Sequence, residues 1–227
     1  MKNFFNISNS KILVVAPHPD DEVLGCGGSI SRFSSEGADV HTVIITMGTK
    51  EFYPQKMIDN IQKEAFIAKD KLGYSKLHIL EGFLPAKLDT YPQSILNEAL
   101  DNLIQKIKPH ILFLPHRGDL HKDHQIVHDS NLVAARPHNR GHMPSQIFSY
   151  ETLSETEWGI ASFTPNVFID ISTYLENKIS AMKCYKSQLM EFPHSRSLES
   201  IKSIARVRGG AINVPYAESF KLIRQIY

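Results

Sequence analysis

Short, continuous apolar runs alternate with longer amphipathic segments over the first half of the chain. The runs are rich in β-branched residues and predict four buried strands, at Lys11–Ala16, 40–46, 76–80 and 111–114. The segments between them predict three helices, at 21–36, 57–72 and 92–108. This alternation predicts an α/β fold with a mostly parallel sheet and helices on both faces, a Rossmann-like three-layer sandwich.

The pattern is weaker after residue 124. It predicts a helix at 125–135, strands at 147–150 and 167–171, and a helix at 172–188, with irregular chain between them. The last part predicts two helices on either side of a loop at 206–215. The sequence shows no internal repeat, linker or low-complexity stretch, and we expect one domain over residues 1–227.

The expected order of strands predicts where a functional site lies. In the common doubly wound order, the first and fourth strands are adjacent, at the point where the connections change direction. Ligands bind there, beyond the carboxyl ends of the strands. Both of these strands are followed by a cluster of histidine and acidic residues: P-H-P-D-D-E at 17–22 and G-D-L-H-K-D-H at 118–124.

These two clusters predict a metal site. His18 and Asp21 offer one nitrogen and one oxygen ligand within one turn of chain, and zinc accepts both. A third ligand from the second cluster would leave one position open for water, the arrangement of a catalytic zinc. Asp20 would then lie beside the metal as a candidate base. The alternative is that the acids only cap the following helix, whose N-terminal dipole favours negative charge.

Composition narrows the class of protein. The 227 residues include 25 basic and 24 acidic ones, a balance that does not favour a nucleic acid or a membrane surface as partner. Cys26 and Cys184 are too few for a disulfide framework, so we expect a reducing, cytoplasmic location. We expect no signal peptide, because residues 1–10 lack its basic and apolar pattern, and no membrane span, because no apolar run is long enough.

Several motifs carry a resemblance to a known family. The first cluster resembles the signature A-H-P-D-D-E, with Pro17 in place of alanine, and the second resembles H-x-D-H. The tail adds Y-K-S-Q at 185–188, R-V-R-G-G at 206–210 and Y-A-E-S-F at 216–220. In this order and spacing, over nearly the whole chain, the motifs resemble those of the PIG-L/LmbE family of zinc-dependent N-acetylglucosaminyl deacetylases.

The resemblance implies a role for most residues of the two clusters. His18, Asp21 and His124 would bind Zn²⁺, although nitrogen and carboxylate ligands also suit another divalent ion such as Fe²⁺. Asp20 would accept a proton from water as general base and later deliver it to the amine. His121 would stabilise the oxyanion or protonate the leaving group.

Asp123 and Arg206 complete the implied site. Asp123 would orient His121 or His124, because metal-site histidines usually donate their second N–H to a carboxylate or a carbonyl. The alternative for Asp123 is a helix N-cap. Arg206 would shape the substrate pocket or hold a loop, and its alternative is a solvated charge. We expect five further histidines to be structural or on the surface: His116, His128, His138, His142 and His194.

The implied activity is removal of an N-acetyl group from an amino sugar or an amino-sugar conjugate by a metal-dependent hydrolase. Two alternatives remain: hydrolysis of another small amide, such as a glucosaminyl conjugate in thiol-cofactor synthesis, or a non-catalytic metal- or sugar-binding module on the same fold. Ile61 stands where many family members carry an arginine thought to face substrate, so the identity of the sugar stays open. The partner would be a small N-acylated sugar, and a homo-oligomer also stays open.

Overall fold

The computed structural model describes residues 7–51, 53–137 and 141–227. Within these residues the strands are β1 (Lys11–Ala16), β2 (Asp39–Ile44), β3 (Lys76–Ile79), β4 (Ile111–Pro115), β5 (Gln146–Tyr150), β6 (Val167–Asp170) and β7 (Ala217–Gln225). The α-helices are α1 (Asp21–Ser35), α2 (Gln55–Leu72), α3 (Gln93–Ile107), α4 (Lys122–Ala134), α5 (Leu175–Met182) and α6 (Leu198–Gly210). Short 3₁₀ turns occupy Leu88–Thr90 and Thr156–Trp158.

The described strands form one sheet in the order β3-β2-β1-β4-β5-β7-β6. The strands from β1 to β5 run parallel, and β7 runs antiparallel to both of its neighbours. β1 and β4 are adjacent, with Leu13 beside Leu112 in the register. The predicted α/β sandwich with a mostly parallel sheet, and the predicted contact between the first and fourth strands, are therefore confirmed.

Side chains of β1 alternate between the two faces of the sheet, so each face has its own core. Ile12 and Val14 pack with residues of α1, α2, α5 and α6 on one face. Leu13 and Val15 pack with residues of α3 and α4 on the other. Burial on both faces explains why the strand is a continuous apolar run. In the described chain, no helix is both long and apolar enough to cross a membrane.

The last part of the chain differs from its prediction. The second helix predicted there is wrong, because the segment forms β7, a strand between β5 and β6. Residues 217–220 are all buried, which a helix packed on one face could not achieve over four consecutive positions. Phe220 packs edge-on against Phe113 of β4, in the middle of the sheet. The loop predicted at 206–215 is also shorter, because α6 continues to Gly210.

The helix predicted at 172–188 is also shorter in the structure. α5 ends at Met182, and the backbone N–H of Tyr185 then donates to the Met182 carbonyl in a tight turn. This turn places the Tyr185 side chain in the interior, where it is fully buried.

A buried ion pair joins α5 to β7 and contacts the backbone of α1. Lys178 Nζ lies 2.6 Å from Glu218 Oε1, and both residues are at most 5% exposed. Lys178 also donates to the carbonyl of Leu24 in α1. The Glu218 carboxylate accepts from the backbone N–H groups of Gly28 and Ser29, further along the same helix. The two charged side chains thus bond to main-chain groups in the middle of α1.

Candidate active site

The turns after β1 and β4 bring three potential metal ligands together. His18 Nδ1 lies 3.3 Å from His124 Nε2, and the Oδ2 atom of Asp21 lies 3.3 Å from each of these nitrogens. Donor atoms bound at about 2.0–2.1 Å to a tetrahedral ion lie roughly 3.3–3.4 Å apart. The three predicted ligands therefore form a triangle of the size that a tetrahedral ion requires. Two imidazole nitrogens and one carboxylate oxygen also suit the chemistry of zinc.

The electrostatics of this triangle favour a cation. Burial acts to raise the pKa of Asp21, but the neighbouring His124 and His18 hold this pKa well below its usual range. Burial likewise opposes the charge on His124, and the carboxylates of Asp21 and Asp119 raise the pKa of this imidazole to about 10. The carboxylates thus stabilise positive charge at the centre of the triangle. A divalent ion would supply that charge in place of a proton.

Asp119 holds His124, the third predicted ligand, in place. One of its oxygens lies 2.8 Å from His124 Nδ1, and the other accepts a hydrogen bond from Thr156 Oγ1. This contact fixes the ring of His124 with Nε2 toward the triangle, in the way that carboxylates orient histidines in known metal sites. Sequence reasoning assigned no role to Asp119. Its position in the second cluster, five residues before His124, was the available signal.

Asp123 contacts a different histidine from the two that the sequence suggested. Its Oδ2 atom lies 3.0 Å from Nε2 of His18, rather than bonding to the ring of His121 or His124. The same carboxylate accepts from the backbone N–H groups of Ala86 and Leu88. Asp123 is therefore a rigid acceptor that orients His18. The interpretation of Asp123 as the helix N-cap is wrong, because the cap of α4 is His121.

His121 lies beside the triangle and accepts one hydrogen bond from the backbone. Its Nδ1 atom accepts from the backbone N–H of Asp123, so the neutral ring carries its proton on Nε2. Burial and the nearby charges of His18 and His124 lower the pKa of His121 to about 4. Its ring centre lies 4.5 Å from that of His18. A neutral imidazole in this position suits an acceptor that develops negative charge.

A second group of donor atoms comprises His18, His121 and Asp123. The Nε2 atom of His18 already contacts Asp123. The Asp123 oxygens also receive two backbone N–H groups. These contacts leave the second group less free to bind an ion than the triangle of His18, Asp21 and His124.

Asp20 sits at the N-cap position of α1, yet its carboxylate makes no capping hydrogen bond. Its backbone is left-handed, with φ 104° and ψ −26°, which is unusual for a residue with a side chain. Burial and the charge of Asp21 raise the pKa of Asp20 well above its usual range, and Arg196 opposes this shift. The carboxylate lies 3.5 Å from Nη1 of Arg196 and is 1% exposed on its side chain. The carboxylate of Asp20 is thus not used to cap the helix.

The carboxylate of Glu22 bonds to the backbone of the same turn. The Oε2 atom accepts from the backbone N–H of Asp20 at 3.2 Å, and Oε1 accepts from the Tyr185 hydroxyl at 2.6 Å. Glu22 and Tyr185 are both fully buried. Burial raises the pKa of Glu22 to about 7, although the hydrogen bond from Tyr185 acts against the shift.

The arginines of the tail lie in different surroundings. Arg206 is on α6, and its Nη2 atom donates to the hydroxyl of Tyr216. Arg208 forms a two-point ion pair with Glu151. The arginine that contacts Asp20 is Arg196, which precedes α6 and matches none of the motifs identified in the sequence. Arg196 also donates to Ser154 Oγ at 2.7 Å, so it links the loop after β5 to the turn after β1.

Of the five histidines expected to be structural or on the surface, three contact carbonyl oxygens. His116 contacts Ala161, His128 contacts Pro115 and His142 contacts Pro109. His194 Nδ1 accepts from the backbone N–H of Arg196. These four have backbone partners, and His138 lies outside the described residues.

The sheet and the triangle together define an α/β protein with a candidate divalent-metal site at the carboxyl ends of β1 and β4. A family model described as PIG-L, GlcNAc-PI de-N-acetylase, matches residues 13–135. The uncharacterized deacetylase YaiS of Escherichia coli (strain K12) is 31% identical over 185 residues, which cover 78% of this chain and 90% of that protein. This chain belongs to the PIG-L family of de-N-acetylases, as the resemblance implied.

Two further proteins are similar over almost the whole chain. The diacetylchitobiose deacetylase of Thermococcus kodakarensis is 27% identical over 232 residues, covering 96% of this chain and 84% of that protein. The crystal structure of the conserved protein TT1542 from Thermus thermophilus matches with a TM-score of 0.77 at 26% identity. That match covers 95% of this chain and 96% of the Thermus chain.

Proposed function

We propose that this protein is a metal-dependent hydrolase that removes an N-acetyl group from an amino sugar or an amino-sugar conjugate. The observation that carries the proposal is the triangle of donor atoms with 3.3 Å sides, formed by His18, Asp21 and His124. Membership of the PIG-L family supports the reaction. Similarity to a diacetylchitobiose deacetylase supports N-acetylglucosamine compounds as the substrate class.

The triangle would hold the metal. Zinc is the ion that the family resemblance favours, and Fe²⁺ also suits these ligands. An ion held there lowers the pKa of a water molecule and polarises the acyl carbonyl. Asp119 and Asp123 keep the rings of His124 and His18 turned toward this position.

Asp20 is the proposed general base. It is next in sequence to the ligand Asp21, and its carboxylate is free of helix capping. Asp20 accepts the proton as water attacks the acyl carbon, and the carbon–nitrogen bond then breaks as the amine takes up a proton. The products are acetate and the free amino sugar.

His121 is the proposed donor to the developing oxyanion. Since its Nδ1 atom is occupied by the backbone N–H of Asp123, the proton on Nε2 is available to the carbonyl oxygen. A donor fixed by the helix terminus requires little reorganisation during the reaction. The proposal therefore gives Asp20 and His121 separate tasks, proton transfer and charge stabilisation.

The test is an assay for released acetate and free amine with purified protein and a panel of N-acetylated sugars. The panel includes N-acetylglucosamine, diacetylchitobiose, and nucleotide-linked and lipid-linked forms. We expect turnover of at least one substrate with zinc or iron bound, and loss of turnover on chelation. Restoration by the added ion is the control for irreversible damage.

Turnover that survives complete removal of divalent ions would contradict a metal-dependent reaction. Tight sugar binding without acetate release, by metal-loaded protein, would instead favour a binding module. Hydrolysis of non-sugar amides alone would favour the other alternative, a hydrolase of small amides.

A further inference from the structure

We propose that Tyr185 and Glu22 are positioning residues for Asp20, and that this chain of hydrogen bonds holds the base in its left-handed conformation. The inference rests on the proposed function, since it assigns the support of the proposed base. It is carried by the contacts from the Tyr185 hydroxyl to Glu22 Oε1 at 2.6 Å and from the Asp20 N–H to Glu22 Oε2 at 3.2 Å.

The conformation of Asp20 needs such support. A residue with a side chain is strained in a sparsely populated backbone region, and the surrounding structure must hold it there. The carboxylate of Asp20 does not help, because it makes no capping bond to α1. The backbone N–H of Asp20 is bonded to Glu22, and this bond fixes the orientation of the turn.

Glu22 can hold this turn only if its own carboxylate is fixed. It is fully buried, and its second oxygen is bonded to Tyr185, a residue 163 positions away in the chain. Tyr185 is itself fully buried after the end of α5. Through Glu22, the hydroxyl therefore links the segment after α5 to the backbone of Asp20. Neither Tyr185 nor Glu22 belongs to the proposed ligand triangle.

The decisive variant is Tyr185→Phe, which keeps the ring and removes only the hydroxyl. We expect kcat to fall about tenfold, a part of the roughly 10²–10⁴-fold that a general base contributes. KM and the metal content should be unchanged, since the ligand atoms and the substrate contacts stay in place. In the Asp20→Asn background, the same change should cause no further decrease in kcat, because the base it positions is gone.

Tyr150→Phe is the matched control. Tyr150 is also fully buried, and its hydroxyl donates to the Val15 carbonyl in β1 at 2.7 Å. The control removes a comparable buried hydrogen bond, so it should lower the melting temperature by a similar amount and leave kcat at the wild-type level. Glu22→Gln should keep more of kcat than Glu22→Ala, since an amide can bond to both partners.

A crystal structure of Tyr185→Phe gives a readout that does not depend on turnover. We expect the Asp20 carboxylate to move by more than about 0.5 Å, the tolerance of a productive site. An unmoved Asp20 with wild-type kcat would overturn the inference, as would an equal loss of kcat in Tyr150→Phe or an undiminished effect in the Asp20→Asn background. A wild type inactive on every N-acetylated sugar would overturn the proposed function, and the position of Asp20 in the variant would still decide the inference.

Discussion

One ring nitrogen of His124, Nδ1, lies 2.8 Å from a carboxylate oxygen of Asp119, and each of the two side chains is at most 1% exposed. We predict that Asp119→Ala weakens metal affinity by about 10–100-fold, because the ring of His124 loses the acceptor that fixes its orientation. Titration of the metal-free protein with zinc measures this change. The control is Asp129→Ala on α4, which breaks a surface pair with Arg117 and should leave affinity unchanged.

Removal of a ligand should have a larger effect than removal of its support. We predict that His18→Ala, Asp21→Ala and His124→Ala each lose bound metal, since each change removes one donor from the triangle. Metal analysis of the purified variants measures the stoichiometry. His128→Ala is the control, because His128 is a buried histidine of α4, like His124, but bonds to the Pro115 carbonyl. Full metal occupancy in all three ligand variants would refute the assignment.

Asp20→Asn separates an enzyme from a binding module. The amide has the size of the carboxylate but cannot take a proton at neutral pH, so we expect kcat to fall at least about 100-fold. Metal content should stay the same and KM should change little, because the ligands are intact. Rates are compared at equal metal content on the best substrate of the panel. Equal rates for the two proteins would mean that another group accepts the proton.

The clusters and their meeting point could be predicted because the necessary information is local. Each of the two clusters lies in the segment that follows a strand, and strand order follows from the alternation of strand and helix. Sequence spacing thus led to His18, Asp21 and a third ligand from the second cluster, which the family resemblance identified as His124. The structure places the donor atoms of these three residues 3.3 Å apart. The partners that orient these residues are set by loop geometry instead.

Arg196 shows why contacts between distant loops cannot be predicted from the sequence. It lies in a loop after α5, and it reaches Asp20 only because the loop folds back over the carboxyl end of the sheet. β7 escaped for a different reason: its polar positions, such as Glu218, are buried and find partners in distant elements. A pattern of polar and apolar residues cannot distinguish a buried, paired acid from an exposed one.

The buried pair of Lys178 and Glu218 predicts a large effect on stability. Loss of one partner leaves the other charge buried and unpaired, so Glu218→Ala should lower the free energy of unfolding by about 3–5 kcal/mol. The exposed pair of Lys202 and Glu176 provides the control, and Glu176→Ala should cost at most about 1 kcal/mol. Urea denaturation of both variants measures the difference. A similar, small loss for the two variants would contradict the prediction.

His78 predicts a dependence of stability on pH. Its Nε2 atom lies 2.9 Å from Nδ1 of His41, and burial together with the charges of His41, Lys76 and Lys106 lowers the pKa of His78 from 6.5 to about 4. Between these two values the unfolded chain binds more protons at this position, so His78 reduces stability as the pH falls from about 6.5 to about 4.

The measurement is urea denaturation of the wild type and of His78→Gln at pH 7.5 and pH 5. Other groups also titrate in this range, so the relevant quantity is the difference between the two proteins. We expect the wild type to lose more stability than the variant on acidification. Equal losses would show that His78 does not contribute.

The place of β7 in the sheet has a consequence for the order of folding during synthesis. Among the described strands, β6 pairs only with β7, and β5 has β7 as its second neighbour. Both strands are therefore translated before the segment that joins them, and Lys178 is also made before Glu218. A nascent chain that stops short of β7 exposes an unpaired edge of β5 and carries a lysine without its acid. Such a chain is prone to aggregation. The α1 segment that bears Asp21 likewise gains its contacts with Glu218 only after β7 has been made.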